Sequence, residues 1–305
     1  MFGCTRQGTK PLNTKPLNNK KINKLAIFGV GLIGGSLALA LKKADYCKTI
    51  VGCSRSAEHL QRAEDLNVID SYTLDPKEAV QGADMILLAV PLRAIQPVLE
   101  SFVDVIEDNA IITDAGSAKR SVVNATKNAF GGKLPSNFVP GHPIAGREKS
   151  SVEAAIVDLY VDQKVILTPL EETAPEAIAR VKEMWESSGA IVETLEINQH
   201  DHVLAATSHL PHILAYSFVN TLSKSEYGDD IFAFTAGGFK SFSRTASSDP
   251  VMWRDICLEN RDAIVKYLDD FQQDLADLSE QIKDSDGEAL MKVFINAKET
   301  RDRNI

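Results

Sequence analysis

Paired cysteines are missing from this chain. Its four cysteines, Cys4, Cys47, Cys53 and Cys257, are scattered, with no Cys-x-x-Cys pair and no metal-ligand spacing. That pattern excludes a disulfide framework or zinc site as the organising device and suits reduced thiols in a cytoplasmic protein. No metal is therefore expected. Positive charge is also short: 33 Lys and Arg stand against 42 Asp and Glu, for a formal net charge of −9. Nucleic-acid binding requires a basic surface, so that class is not expected, and anionic ligands must be met by local sites. Long hydrophobic runs are absent too. The longest uncharged stretch, residues 25–41, is 17 residues long and interrupted by Gly29, Gly31, Gly34 and Gly35, short of the roughly 20 apolar residues that span a bilayer. No membrane association is expected. Neither a repeat of solenoid period nor a low-complexity linker occurs.

What remains is a chain with a hydrophobic fraction of 44%, enough to bury a core in two domains of ordinary size. Residues 1–23, with a near-repeat of Lys-Pro-Leu-Asn beginning at Lys10 and Lys15, read as a disordered tail without the apolar core of a signal peptide. Short apolar runs at 25–28, 49–53, 85–90, 110–113, 138–139, 164–168 and 191–195 alternate with helical patterns such as 57–66 and 175–188. This α/β alternation predicts a parallel sheet covered on both faces, over residues 24–197. After His200 the strands stop. Residues 198–305 read as an all-helical C-terminal domain, with helices expected over 203–222, 250–282 and 287–301. Along the second of these, Ile264, Leu268, Phe271, Leu275, Leu278 and Ile282 recur at steps of four and three, forming one seam. That seam needs a helix partner, in the same chain or in a homodimer.

The run Gly-Val-Gly-Leu-Ile-Gly at 29–34 follows the first strand and opens a helix. Gly29, Gly31 and Gly34, with Leu32 and Ile33 between them, are therefore candidate ligands of a dinucleotide pyrophosphate in a Rossmann-type domain. The end of the second strand ordinarily carries the acid that takes both ribose hydroxyls of NAD. Here that place reads Ser54, Arg55, Ser56, a guanidinium and hydroxyls that would hold a 2′-phosphate, so NADP is favoured over NAD. Val90 and Pro91 close a strand at the sheet's carboxyl edge and are expected to border the cofactor.

Four further segments join polar side chains to tight backbone: residues 113–119 with Ser117, 141–146 with His142, 208–212 with His209 and His212, and 237–244 with Gly238 and Arg244. By themselves they permit blander readings, such as Ser117 as a helix cap and each histidine as a local hydrogen-bonding residue. Together with the Asp-Pro-Val-Met-Trp run at 249–253, in this order behind a Rossmann turn, they resemble the prephenate and arogenate (cyclohexadienyl) dehydrogenases of tyrosine biosynthesis, over about residues 24–300.

That resemblance implies oxidative decarboxylation of a cyclohexadienol, with hydride leaving C4 for a nicotinamide, the 4-hydroxyl giving up its proton and the ring carboxylate departing as carbon dioxide. It implies His142 as the catalytic base and Ser117 as the residue orienting the same hydroxyl. Arg244 would hold a substrate carboxylate in bidentate geometry. His209, His212 and His200 would line the substrate pocket, Gly238 would allow close approach to ligand, and Glu148 would pair with the arginine at the entrance. The choice between prephenate and arogenate stays open, as does that between NADP and NAD. Feedback by tyrosine in the substrate pocket is also implied. Two other classes remain on this reading: a β-hydroxyacid dehydrogenase, which would need a catalytic lysine in the helical domain, and a non-catalytic NADP-binding sensor, which would have no use for His142, Ser117 and Arg244 together. Trp253 is expected to serve packing.

Overall fold

A computed structural model of the chain describes residues 21–147 and 149–304. Of the tail expected over 1–23, residues 1–20 lie outside the described residues, and Ile22 already opens the first strand.

The N-terminal half alternates strand and helix: β1 (Ile22–Phe28), α1 (Leu32–Lys43), β2 (Cys47–Cys53), α2 (Ala57–Asp65), β3 (Ser71–Thr73), α3 (Pro76–Val80), β4 (Met85–Leu88), α4 (Ile95–Glu100), β5 (Ile111–Asp114), α5 (Lys119–Ala129) and β6 (Phe138–Val139). These six strands form one parallel sheet in the order β3-β2-β1-β4-β5-β6. Both faces of β1 are buried: Leu25 and Ile27 pack into one core, Ala26 and Phe28 into the other. That explains why the strand reads as a continuous apolar run and not as an alternation. Strand order reverses between β1 and β4, and a crevice for ligands opens beyond the carboxyl ends of such neighbours.

The remaining strands depart from the sequence reading, which placed 164–168 and 191–195 in the same sheet. β7 (Gly141–Pro143), β8 (Lys164–Leu167), α6 (Pro175–Ser187) and β9 (Ile191–Thr194) build a second sheet, ordered β7-β8-β9. Proline at 140 has no N–H to extend β6, and the Gly141 N–H goes to a side chain, Asp114 Oδ1 at 3.1 Å. The chain therefore turns out of the main sheet there and pairs antiparallel with β8. His142 stands in the middle of this short strand, not in a turn.

Helices fill the rest: α7 (Ile197–Leu204), a π-helical turn (Ala205–His209), α8 (Leu210–Ser223), α9 (Gly228–Ala233), α10 (Gly237–Ser243), α11 (Pro250–Glu259), α12 (Arg261–Lys283) and α13 (Gly287–Asn304). The single helix expected over 203–222 is thus interrupted. Pro211, in the first turn of α8, cannot donate back into the preceding turn, and the backbone widens there. The helix expected over 250–282 breaks at Asn260, whose φ of −115° and ψ of 31° leave the helical region. On α12 the seam starts buried at Ile264 (3% exposed) but reaches 50% at Leu275 and 64% at Ile282. Its partner within the chain covers only the beginning. No helix among the described residues is long and apolar enough to cross a membrane.

Candidate active site

The glycine turn after β1 is closed by contacts only glycine permits. Gly29 has a φ of +91°, and a Cβ there would lie 2.3 Å from the Ala89 carbonyl oxygen; one on Gly34 would lie 2.4 Å from the Gly29 oxygen. α1 starts at Leu32 with no side-chain cap and no acid in its first turn, so its partial positive charge is left for an anionic ligand. The Leu32 N–H donates to the Ser150 carbonyl at 2.9 Å, and the Ile33 carbonyl accepts from the Tyr160 hydroxyl at 2.6 Å. The segment behind His142 is thereby laced to the turn. A Cβ on Gly29 would lie 3.1 Å from the Val90 side chain, and Pro91 is exposed beside it. A tight turn at the switch point between β1 and β4, opening a helix with no side-chain cap, fits a dinucleotide.

At the end of β2, Ser54 is half-buried and Arg55 exposed. Ser56 has a structural duty the sequence reading did not give it: its hydroxyl caps α2 by accepting the His59 N–H at 3.2 Å. Its own O–H can still donate, so the set offered to a 2′-phosphate is one guanidinium with hydroxyls. His59, unforeseen, meets the Val30 carbonyl through Nε2 at 2.9 Å and ties α2 to the glycine turn.

The second cluster is buried. Lys119, fully enclosed, donates through Nζ to Asp114 Oδ2 and to the Gly141 carbonyl, both at 2.5 Å. Asp114 also accepts the Gly116 N–H at 2.7 Å. This pair fastens the Ser117 segment to the His142 strand, and its removal by halves would be costly, because an unpaired buried charge destabilises by about 3–5 kcal/mol. Burial pushes the Lys119 ammonium down, with Asp114 opposing the shift. Ser117 is not the cap of α5. That role is taken by Asp201 of α7, whose carboxylate accepts the Lys119 and Arg120 N–H groups at 2.7 and 2.9 Å. Among the described residues the Ser117 hydroxyl makes no hydrogen bond, and Ser117 is half-buried.

His142 is 8% exposed. Its Nδ1 lies 2.9 Å from His200 Nε2, and His200 Nδ1 lies 2.7 Å from Asp201 Oδ1. Burial first, then the positive fields of His200, Lys119 and His209, hold the His142 pKa well below its ordinary value. The ring is neutral at neutral pH. Burial also lowers His200, against the Asp201 bond that raises it. Burial pushes Asp201 up, but the bonds from His200, Lys119 and Arg120 outweigh it and the net shift is downward.

The helical half contributes the opposite wall. Asn260, at the break before α12, donates through Nδ2 to the Asp201 carbonyl at 2.8 Å, which orients its amide, and the same nitrogen reaches His209 Nδ1 at 3.1 Å. Neutral His209 therefore carries its proton on Nε2, a buried nitrogen, and the Ser117 backbone beside the ring opposes the lowering of its pKa. Burial lowers its pKa to about 4. His212 receives a face-to-face stack from Trp253 at 3.8 Å between centroids and bonds the Ser208 carbonyl through Nδ1 at 2.8 Å, so Nε2 is its free nitrogen. Burial lowers its pKa, and the charge of Arg244 adds to this. Trp253 is buried, and it also packs edge-on against His209.

Gly238 is exposed, and a Cβ there would meet nothing within 4 Å, so no close approach in this chain requires glycine at 238. Glu148 lies outside the described residues. Sequence reasoning missed Asp201, Asn260, Asp114 and Lys119. The signal for the last two was present, an acid ending a strand with a lysine five residues on; nothing local announced the other two.

Comparison with known proteins agrees with this geometry. The family model "Prephenate dehydrogenase, nucleotide-binding domain" matches residues 37–194, and "Prephenate dehydrogenase, dimerization domain" matches 196–296. The chain is 38% identical to a cyclohexadienyl dehydrogenase of Zymomonas mobilis, over 91% of this chain and 94% of that protein. It is 36% identical to a prephenate dehydrogenase of Bacillus subtilis, over 91% and 75%. Among solved structures, prephenate dehydrogenase from Aquifex aeolicus in complex with hydroxyphenyl propionate and NAD+ superposes with a TM-score of 0.86 at 35% identity, over 95% of this chain and 99% of that one. Synechocystis arogenate dehydrogenase gives 0.75 at 27% identity, over 92% and 100%. With a nucleotide-binding sheet, a helical half and a buried histidine cluster between them, the chain belongs to the prephenate dehydrogenase family.

Proposed function

We propose that this protein oxidatively decarboxylates prephenate or arogenate with a nicotinamide cofactor, giving 4-hydroxyphenylpyruvate or tyrosine. The observation that carries the reading is His142: a buried imidazole whose strand is tied by Gly141 to Asp114 at the carboxyl end of β5 and whose Nδ1 meets His200.

When bound, the cofactor supplies the hydride acceptor. Gly29, Gly31, Leu32, Ile33 and Gly34 would hold its pyrophosphate at the start of α1, Val90 and Pro91 would border it, and Ser54, Arg55 and Ser56 would take the adenosine ribose. The absence of an acid in that last group favours NADP, while NAD+ is the cofactor in the Aquifex complex.

His142 accepts the 4-hydroxyl proton as C4 gives up its hydride, and a neutral base is required for this. The electron pair of the bond to the departing carboxylate then enters the ring, and the proton returns from His142 to the phenol oxygen. Ser117, relieved of capping duty by Asp201, donates or accepts at the same hydroxyl and orients it. Arg244 grips a carboxylate of the substrate. His209 presents a buried N–H beside the Ser117 backbone, and His212, braced by Trp253, presents a bare nitrogen; together they suit the polar groups of a side chain ending in a keto acid or an amino acid. Tyrosine, sharing that side chain with arogenate, fits the same pocket as a feedback inhibitor.

The exposed end of the α12 seam pairs with a second copy in a homodimer, consistent with the family model matched there. Unpaired thiols at Cys47 and Cys53, both buried and pushed up to about 11 chiefly by that burial, suit a cytoplasmic location. Purified protein mixed with prephenate or arogenate and NAD or NADP, in all four pairings, tests the reading. Turnover in at least one pairing that His142→Asn abolishes is expected. Cofactor binding without turnover in any pairing would refute it and favour a sensor.

A further inference from the structure

The hydrogen bonds that leave His142 on its inner side continue for two more residues, and each has a direction set by chemistry. Asp201 is an acceptor only, and its Oδ1 lies 2.7 Å from His200 Nδ1. That nitrogen must therefore carry a hydrogen. In a neutral ring the other nitrogen, His200 Nε2, is then an acceptor, and it lies 2.9 Å from His142 Nδ1. His142 must donate from Nδ1, so its lone pair is on Nε2. Asp201 cannot turn away from this duty, because its two oxygens are also fixed by the Lys119 and Arg120 amides at the start of α5.

Resting on the proposed reaction, we infer that Asp201 and His200 are positioning residues that set His142 in the tautomer with a basic Nε2, and that His200 takes the Nδ1 proton of His142, and with it the positive charge, while the ring aromatises. The step balances. The substrate O–H bond breaks as a bond forms to His142 Nε2; the His142 Nδ1–H bond breaks as one forms to His200 Nε2. Both shifts reverse when the phenol is made, and no proton is gained or lost.

The charges around the two rings favour this displacement. Among the described residues, the charges that act on His142 are those of His200, Lys119 and His209. His200 shares the field of Lys119 but is bonded to Asp201 and also feels Asp114. A positive charge is better placed on His200, with a carboxylate at hydrogen-bond distance, than on His142. The arrangement extends by one imidazole the logic of an aspartate that orients a catalytic histidine and stabilises its charged form.

The experiment compares wild type with Asp201→Asn, His200→Gln and His142→Asn, reading kcat, KM for each ligand, thermal unfolding and the nitrogen-15 resonances of the His142 ring. Oδ1 serves both His200 and the Lys119 amide, so in Asp201→Asn an NH2 at that place faces His200 Nδ1 and gives up the Lys119 bond, while the remaining oxygen keeps the Arg120 amide. That inverts His200, which then donates from Nε2, and His142 moves its own proton to Nε2. The expected result is a fall in kcat of about 10⁴-fold, the loss seen when the aspartate of a catalytic triad is made an amide. KM for the cofactor stays unchanged, and the His142 resonances report an Nε2–H. His200→Gln leaves the α5 cap untouched and is expected to lose kcat in the same way, which keeps the test decisive if Asp201→Asn folds poorly. A folded Asp201→Asn or His200→Gln with wild-type kcat, or with lost kcat but an unmoved tautomer, overturns the inference. The control separates the two claims: an active His142→Asn would remove the base and the relay together, whereas a dead His142→Asn beside an active Asp201→Asn removes the relay alone.

Discussion

Arg244 illustrates how much a single side chain depends on shape as well as charge. It opens a short helical turn after α10, exposed, with its charge acting on His212. A planar guanidinium can take a carboxylate through two parallel bonds, and lysine cannot. Arg244→Lys is expected to raise substrate KM about 10- to 100-fold, the worth of one charge-assisted hydrogen bond of about 1.5–3 kcal/mol, with kcat and thermal stability little changed; initial-rate kinetics check this. At this scale the sequence was informative where a residue sits in a short motif, as Ser117, His142, His209 and His212 do. It was silent where function arises from contact between distant segments. Asp201 reaches Lys119 across 82 positions, and Asn260 reaches His209 across 51. No periodicity or spacing encodes such a meeting.

Elements behave differently, because their formation rests on local patterns. The glycine turn, α1 and the first strands were legible since their apolar runs, glycines and helix start lie within a few residues of each other. Gly34 is the sharpest case: a Cβ there would meet the Gly29 oxygen at 2.4 Å and the Ile27 side chain at 2.9 Å. Gly34→Ala is expected to destabilise the fold by about 1–3 kcal/mol, the usual cost of overpacking, and to weaken cofactor binding in a fluorescence titration. Less legible were the elements whose ends are set by tertiary contacts. The break at Asn260 follows from its side chain being engaged by Asp201 and His209, and the separate sheet of β7, β8 and β9 follows from the Gly141 N–H turning to the Asp114 side chain while its strand pairs with β8. α9 and α10, six and seven residues long, went unforeseen because neither presents an apolar stripe long enough to read.

For the whole molecule, the histidine cluster couples catalysis to acid stability. His142, His200 and His209 are all held below their ordinary pKa when folded, chiefly by burial. The unfolded chain therefore takes up protons that the folded chain refuses as pH falls below about 6.5. Stability is full above that value and is lost progressively beneath it. For His209, from 6.5 to about 4, the loss amounts to about 3 kcal/mol. Urea unfolding followed from about pH 7 to about pH 4 is expected to show this decline; a flat profile would contradict the neutral cluster. The helical half makes a second claim at this scale. Ile282 is 64% exposed on a seam whose first residue is buried, so Ile282→Asp is expected to shift the sedimentation profile from dimer toward monomer while leaving cofactor binding intact.

The central claim is that one turnover couples hydride transfer to loss of the ring carboxylate, with His142 as the base. The most direct measurement is the ratio of carbon dioxide released to cofactor reduced, in wild type. The account predicts one for one, with both products lost together in His142→Asn. Reduced cofactor without carbon dioxide would mean that the chain is a simple alcohol dehydrogenase and that the assignment of its substrate is wrong.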